Sequence, residues 1–486
     1  MSDEQQVRRD NLTRNLYFLP QFGASGGMAF FSSYLAMLLT DIYMLPVVLA
    51  GALEAVRGVV GWIAGPTYGL MIDRITFKYG KYWHWVIFGT FIGTGANTLT
   101  FILPSLSENP QNLALPVFIL GLAISIFGGM GGAALSAVYP QLTSDPKIRS
   151  YLAIGQKIGR DGGKALWGLI VPPLLVYFTA RGGSDAAGWA SMAYIIGIFG
   201  IGINVIYALI LKGSSIEKRA LAEIDKPAAQ KQRVPLTLVF KTVITNKALL
   251  AIFSCLSIHK IYYFFQILTA SYYFRYVIGD LARLGFFMTA FNLSAVLGSI
   301  FGGAIWIRIF KDSKRSFVAA GVTHLIFLAI LTVIIRNASV TVFLLFVALA
   351  SFFAGVIEAY LMPLFAAAAD WHAWKTGERS DGLTMSTFNL SVVLGTTVST
   401  IIRTAMLAAV GYNAAAYAEG ALPSEAVLNL FRNFQSLYPL LFGIVAFGIV
   451  QLFYPITDKK LAKIQEEIKA GRVGDLRNEE VVNSIV

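Results

Sequence analysis

The sequence predicts an all-α, polytopic membrane protein with twelve transmembrane helices, and three observations carry that reading. Of 486 residues, 56% are hydrophobic and only 14% charged, with a mean hydropathy of +0.64. Apolar runs long enough to cross about 30 Å of hydrocarbon recur along nearly the whole chain. The short alternating runs of a β-barrel are absent, whereas long helices satisfy their own backbone hydrogen bonds, as a bilayer demands.

The expected spans are 17–41, 46–71, 83–103, 113–138, 151–179, 188–211, 247–274, 284–306, 317–335, 340–366, 382–411 and 432–454. With these spans, segments on the side of the N-terminus hold 28 of the 39 Lys and Arg, counting Lys247 with its loop, and the opposite side holds five. The positive-inside rule then places both termini in the cytoplasm. Topology accounts for the net charge of +12, and no nucleic-acid partner is needed. The first ten residues lack an apolar core, so no cleavable signal peptide is expected and the first span serves as an uncleaved insertion signal.

Along the chain, the second span carries Glu54 and Arg57, three apart and able to pair on one helix face. The fourth is glycine-rich at Gly128-Gly129-Met130-Gly131-Gly132, which suits close helix packing. The fifth contains Lys157, Arg160, Asp161 and Lys164. A charge at mid-bilayer costs about 2.5–3.5 kcal/mol even on lenient scales, so such groups face water, a partner or a substrate. At helical spacing Lys157, Asp161 and Lys164 share a face. His259-Lys260 interrupt the seventh span ahead of Tyr262-Tyr263-Phe264-Phe265, Glu358 lies in the tenth, and Arg403 lies in the eleventh.

Basic groups (Arg57, Lys157, Arg160, Lys164, Lys260, Arg403) outnumber acidic ones (Glu54, Asp161, Glu358) in this intramembrane inventory. A cavity lined by several of them favours an anionic small molecule. Tyr262 and Tyr263 are candidates to stack on a flat face of a substrate. Glu54, Asp161, Glu358 and His259 are candidates to carry a proton. The competing structural reading makes Glu54–Arg57 an ion pair, Asp161 a neutralising partner, and the whole fifth-span cluster a static network. Cys255 is the one cysteine, and His84, His259, His324 and His372 are dispersed. No metal site, cofactor or nucleophile–base pair is visible, so an enzyme is not expected.

The longest internal polar stretch divides the spans six and six. The expected organisation is an N-terminal six-helix bundle (1–211), a cytoplasmic linker (212–246), a C-terminal six-helix bundle (247–457) and a cytoplasmic tail (458–486) that opens as a short amphipathic helix. The layout is that of a major-facilitator-type transporter.

Five segments in register carry a resemblance. They are Phe22-Gly23-Ala24 with Thr40-Asp41; Asp73-Arg74 through Tyr79-Gly80-Lys81-Tyr82-Trp83; Tyr139-Pro140 through Asp145-Pro146-Lys147-Ile148-Arg149; Tyr272-Tyr273-Phe274-Arg275-Tyr276 to Asp280; and Asp370-Trp371-His372 with Gly377-Glu378-Arg379-Ser380-Asp381-Gly382, closing at Gly411-Tyr412. Together they resemble the glycoside–pentoside–hexuronide:cation symporter family, of the melibiose-carrier type. The resemblance implies two pseudosymmetric six-helix bundles, alternating access to a midplane cavity, a bacterial cytoplasmic (inner) membrane location and a functional monomer.

Departures from the family pattern bear on the mechanism. The acidic cation-site positions of the second span fall on Gly61 and Gly65, a sugar-binding acid of the first span on Ser25, and an acid of the fourth on a glycine. The basic sugar contact of the fifth span is kept, as Lys157. A family-type cation site therefore looks lost, since two glycines offer only backbone carbonyls. What remains is transport of a glycoside or uronide-like acidic sugar, coupled to H+ or by uniport. Substrate-binding candidates are Ser25, Arg57, Lys157, Arg160, Asp161, Lys164, Tyr262 and Tyr263. The loop charges Asp73, Arg74, Asp370, Glu378 and Arg379 form an expected cytoplasmic gate. The alternatives are an amphipathic or lipid-like solute and, less favoured, a non-transporting sensor.

Overall fold

The computed structural model describes residues 3–471, apart from 66, 76, 78–79, 144–147, 149–151, 153–154, 223–245 and 377–380. Twelve helices are long and apolar enough to span a membrane: Glu4–Ile42, Val47–Ala64, Trp83–Leu106, Pro110–Val138, Gly155–Gly182, Asp185–Leu211, Lys247–Ile278, Leu281–Phe310, Ser313–Ile334, Val340–Lys375, Leu390–Ala409 and Glu425–Phe453. Among the described residues there is no strand, only an isolated bridge between Phe77 and Gly80. The expected class and helix count hold. The first helix starts earlier than its apolar run, because the polar residues Asp3–Asn15 are also helical.

Local chemistry sets the helix ends. Gly183, at φ +70°, takes the left-handed conformation that stops the fifth helix. Ser184 then caps the sixth by accepting the Ala187 amide at 3.2 Å. Asp312 caps the ninth by accepting the Arg315 amide at 2.9 Å. The eighth and tenth helices touch backbone to backbone, since a methyl added at Gly298 would collide with the Phe352 carbonyl and one at Gly355 with that of Ala295.

Contacts group the chain into two compact units. One comprises 1–231 with 268–292 and 400–430, and the other 232–267, 293–399 and 431–486. The first unit therefore joins helices one to six to the ends of helices seven and eleven and the start of eight. Its core clusters Tyr17, Trp85, Val86, Met130, Tyr207 and Leu211.

A shared device shows the internal repetition. In the first unit a helix after the sixth span, Ser215–Ala222, supplies buried Glu217, whose carboxylate accepts the amides of Lys81, Tyr82 and Trp83 at 2.6–2.8 Å where the third span begins. Burial outweighs these three donors and holds the Glu217 carboxyl above its usual 4.5. Gly80 at φ +148° has no room for a side chain here, for a methyl would strike Trp83. In the second unit the helix after the twelfth span, Asp458–Lys469, supplies Asp458, which accepts the amide and hydroxyl of Ser313 at 2.9 and 3.0 Å where the ninth span begins.

Candidate functional site

In the first unit, the charged stretch of the fifth helix does not run as regular α-helix. Residues Ile158–Gly162 form a π-turn, a device frequent at functional sites because it inserts a residue and shifts the side-chain register. The turn interrupts the regular helical face expected for Lys157, Asp161 and Lys164, but Asp161 and Lys164 still meet as that face implies. Asp161 accepts Arg160 Nε at 3.0 Å and lies 3.8 Å from Lys164 Nζ. Arg160 is 46% exposed and Lys164 23%, and Lys157 is half-buried with interactions of its own. Three cations with one paired carboxylate thus remain reachable within an apolar helix. Ser25 is fully buried, donates to the Phe22 carbonyl at 2.6 Å and sits against Gly163, where a methyl would strike its hydroxyl.

The expected pairing of Glu54 with Arg57 is replaced. Glu54 turns to Arg403 of the eleventh helix, whose Nη2 donates to both carboxylate oxygens at 2.8 and 2.9 Å. Gly51, one turn earlier, lets the two helices close, since a methyl there would overlap Thr404. Arg57 instead lies over Gly121 of the fourth helix.

A second polar cluster in this unit gathers around Asp41, one of the residues that carry the family resemblance. Asp41 is buried, and its Oδ1 accepts Thr40 Oγ1 and the Tyr412 phenol, each at 2.6 Å. Its Oδ2 accepts the Tyr276 phenol at 2.6 Å and lies 3.9 Å from Arg275 Nε. Arg275 also donates to Asp185 at 2.9 Å. Asp41 lies in the π-turn Leu38–Ile42, and Arg275 and Tyr276 lie in another, Tyr273–Ile278. An acid late in one span and an Arg-Tyr pair late in another were the available signal, but nothing in the sequence says that they meet.

In the second unit, Lys260 of the seventh helix donates to Glu358 Oε1 of the tenth at 2.9 Å, and its Nζ stands 4.8 Å from the Tyr263 ring centre. Glu358 is 35% exposed while Lys260 is only 11% exposed, so the acid is the more reachable partner. His259 is buried and stacks on Tyr262 at 4.9 Å, which stacks in turn on His324 at 5.9 Å. Tyr262 is therefore a core residue here.

Of the expected gate, Asp370 accepts Gln465 of the tail helix at 2.9 Å, and neighbouring Trp371 has Lys375 and Lys460 over its ring at 5.0 and 4.8 Å. The side chains of Asp73 and Arg74, together with Glu378 and Arg379, lie outside the described residues.

Twelve apolar helices carrying buried and part-exposed charges define a multi-pass membrane transporter. The chain belongs to the MFS/sugar transport protein family, whose model matches residues 16–458. It is similar to the isoprimeverose transporter of Lactiplantibacillus pentosus, with 23% identity over 464 residues covering 93% of this chain and 90% of that one. It is also similar to a putative 2,3-dihydroxypropane-1-sulfonate exporter of Escherichia coli (strain K12), with 21% identity over 443 residues covering 90% and 91%. Among solved structures, a bacterial homologue of the iron transporter ferroportin in its inward-facing state shares the fold, with TM-score 0.57, 14% identity, and 93% and 99% coverage. The chain is a sugar-transport-class carrier that takes a small-molecule substrate by alternating access, and its relatives are transporters and not enzymes.

Proposed function

We propose that this protein carries an acidic sugar derivative, of uronide type, across a bacterial cytoplasmic membrane with both termini inside. The observation that carries this reading is the π-turn of the fifth helix, which sets Asp161 beside Arg160 and Lys164 within an apolar span, with Lys157 one residue before the turn. Intramembrane charge is retained where it binds or moves something, and an excess of cations selects an anion. A relative named for a sulfonate solute supports the same bias. In this reading the bundles 1–211 and 247–457 rock about the linker 212–246, the tail 458–486 stays cytoplasmic, the protein acts as a monomer, and the gate charges Asp73, Arg74, Asp370, Glu378 and Arg379 open and close on the cytoplasmic side.

Glu358 is the favoured proton carrier. Of the four candidates it is the most reachable, whereas Glu54 is held by Arg403, Asp161 by two cations, and His259 is buried. Lys260 supplies the charge that Glu358 neutralises when it is ionised, and loading a proton frees that lysine. Uptake of a labelled glucuronide into proteoliposomes tests this. A pH gradient, acid outside, should drive accumulation in the wild type but not in Glu358→Gln, which should retain exchange. Flux that follows only the solute gradient in both would make the protein a uniporter.

A further inference from the structure

Glu54 is shared by two arginines and pairs with one. Its bidentate partner Arg403 is only 2% exposed, and that guanidinium spends Nη2 alone on the contact, leaving Nε and Nη1 buried without a partner. Arg57 lies one turn beyond Glu54 in the middle of the second helix, half-buried, and makes no hydrogen bond or ion pair among the described residues. Its aliphatic stem occupies the space that Gly121 leaves on the fourth helix, since a methyl at 121 would overlap its Cδ and Nε. Asp41, another membrane acid in this unit, is committed to Thr40, Tyr276, Tyr412 and Arg275 and offers no compensation. Two guanidinium groups therefore share one carboxylate inside a membrane span. Buried ions are kept when they are paired, and a planar guanidinium is suited to a carboxylate or sulfonate fork.

We infer that Arg57, on the glycine-121 shelf beside the Glu54–Arg403 pair, is the receptor for the anionic group of the transported solute. This deepens the acidic-sugar reading and rests on it. The fifth-helix lysines attract and hold the sugar acid, and Arg57 takes its oxyanion as the fourth charge that neutralises the set. The ligand class is a singly charged carboxylate or sulfonate on a polyhydroxylated body.

The test is titration of the purified full chain with glucuronate, methanesulfonate and glucose at fixed ionic strength, in uncharged detergent free of anionic lipid, following thermal stability. The wild type should respond saturably to both anions. Arg57→Gln should weaken glucuronate at least tenfold, while Arg181→Gln, an exposed arginine at the end of the fifth helix that donates to Tyr177, should leave it within twofold. Arg57→Lys, which keeps the charge and loses the fork, should fall between and remains readable if the glutamine variant does not fold. Glucuronate affinity unchanged in both Arg57 variants but lost in Lys157→Ala/Lys164→Ala overturns the subsite alone. No wild-type response to either anion overturns the subsite and the acidic-solute reading together.

Discussion

Asp41 and Tyr412 stand 371 positions apart in the chain, and the phenol donates to the carboxylate at 2.6 Å. With Tyr276 on the other oxygen at 2.6 Å, one buried acid ties the end of the first helix to the end of the seventh and to the segment after the eleventh. Alternating access has to break such a tie when this end of the unit opens. Tyr412→Phe removes one donor and should cost about 1–2 kcal/mol of stability. Asp41→Asn presents an amide donor to phenols and an arginine and should cost about 3 kcal/mol or more. Thermal unfolding in detergent should rank them in that order, and equal small losses would contradict the tie.

The Glu54–Arg403 pair is held from both carboxylate oxygens and is nearly dry. Removing one member leaves the other as an uncompensated buried charge. Glu54→Gln or Arg403→Leu alone should each cost about 3–5 kcal/mol, and the double variant less than their sum. A double-mutant cycle on the unfolding midpoint reads the coupling, and additive losses would show that the pair is idle.

Glu217 gives a pH dependence outside the membrane. Its carboxyl is held above its usual 4.5 by burial, so the folded chain binds that proton more readily than the unfolded chain. The stability contributed at this site is then fully present below pH 4.5 and is lost as pH rises through the raised value. Melting temperatures from pH 4 to pH 8 should show the wild type losing ground to Glu217→Gln as pH rises. A difference constant over that range would contradict it.

The fifth-helix cluster makes a sharper demand. Lys157→Ala combined with Lys164→Ala should weaken binding of an acidic sugar at least tenfold while changing a neutral glycoside by less than threefold. Binding titrations on the same preparations read both, and equal losses for the two solutes would make the lysines general packing elements.

Helix number, class and the short tail helix were legible because hydrophobic length and charge asymmetry are local properties of the sequence. The intramembrane charges were equally plain, but their partners were not. Glu54 has Arg57 three residues away, yet the bond goes to Arg403, 349 positions on, because Gly51 lets the two helices close. The π-turn at Ile158–Gly162 was not legible either, because an inserted turn has no hydrophobic period to announce it. The role of Asp41 was not legible, since its two phenol partners, Tyr276 and Tyr412, lie 235 and 371 positions away and only tertiary packing brings them together.

The central claim is an anionic sugar as cargo, and initial uptake rates of a glucuronide and its neutral glucoside into the same proteoliposomes test it most directly. Glucuronide uptake should be saturable, at least tenfold faster than glucoside uptake at equal concentration, and abolished in Lys157→Ala/Lys164→Ala. Glucoside uptake as fast as or faster than glucuronide uptake, indifferent to those lysines, would contradict it.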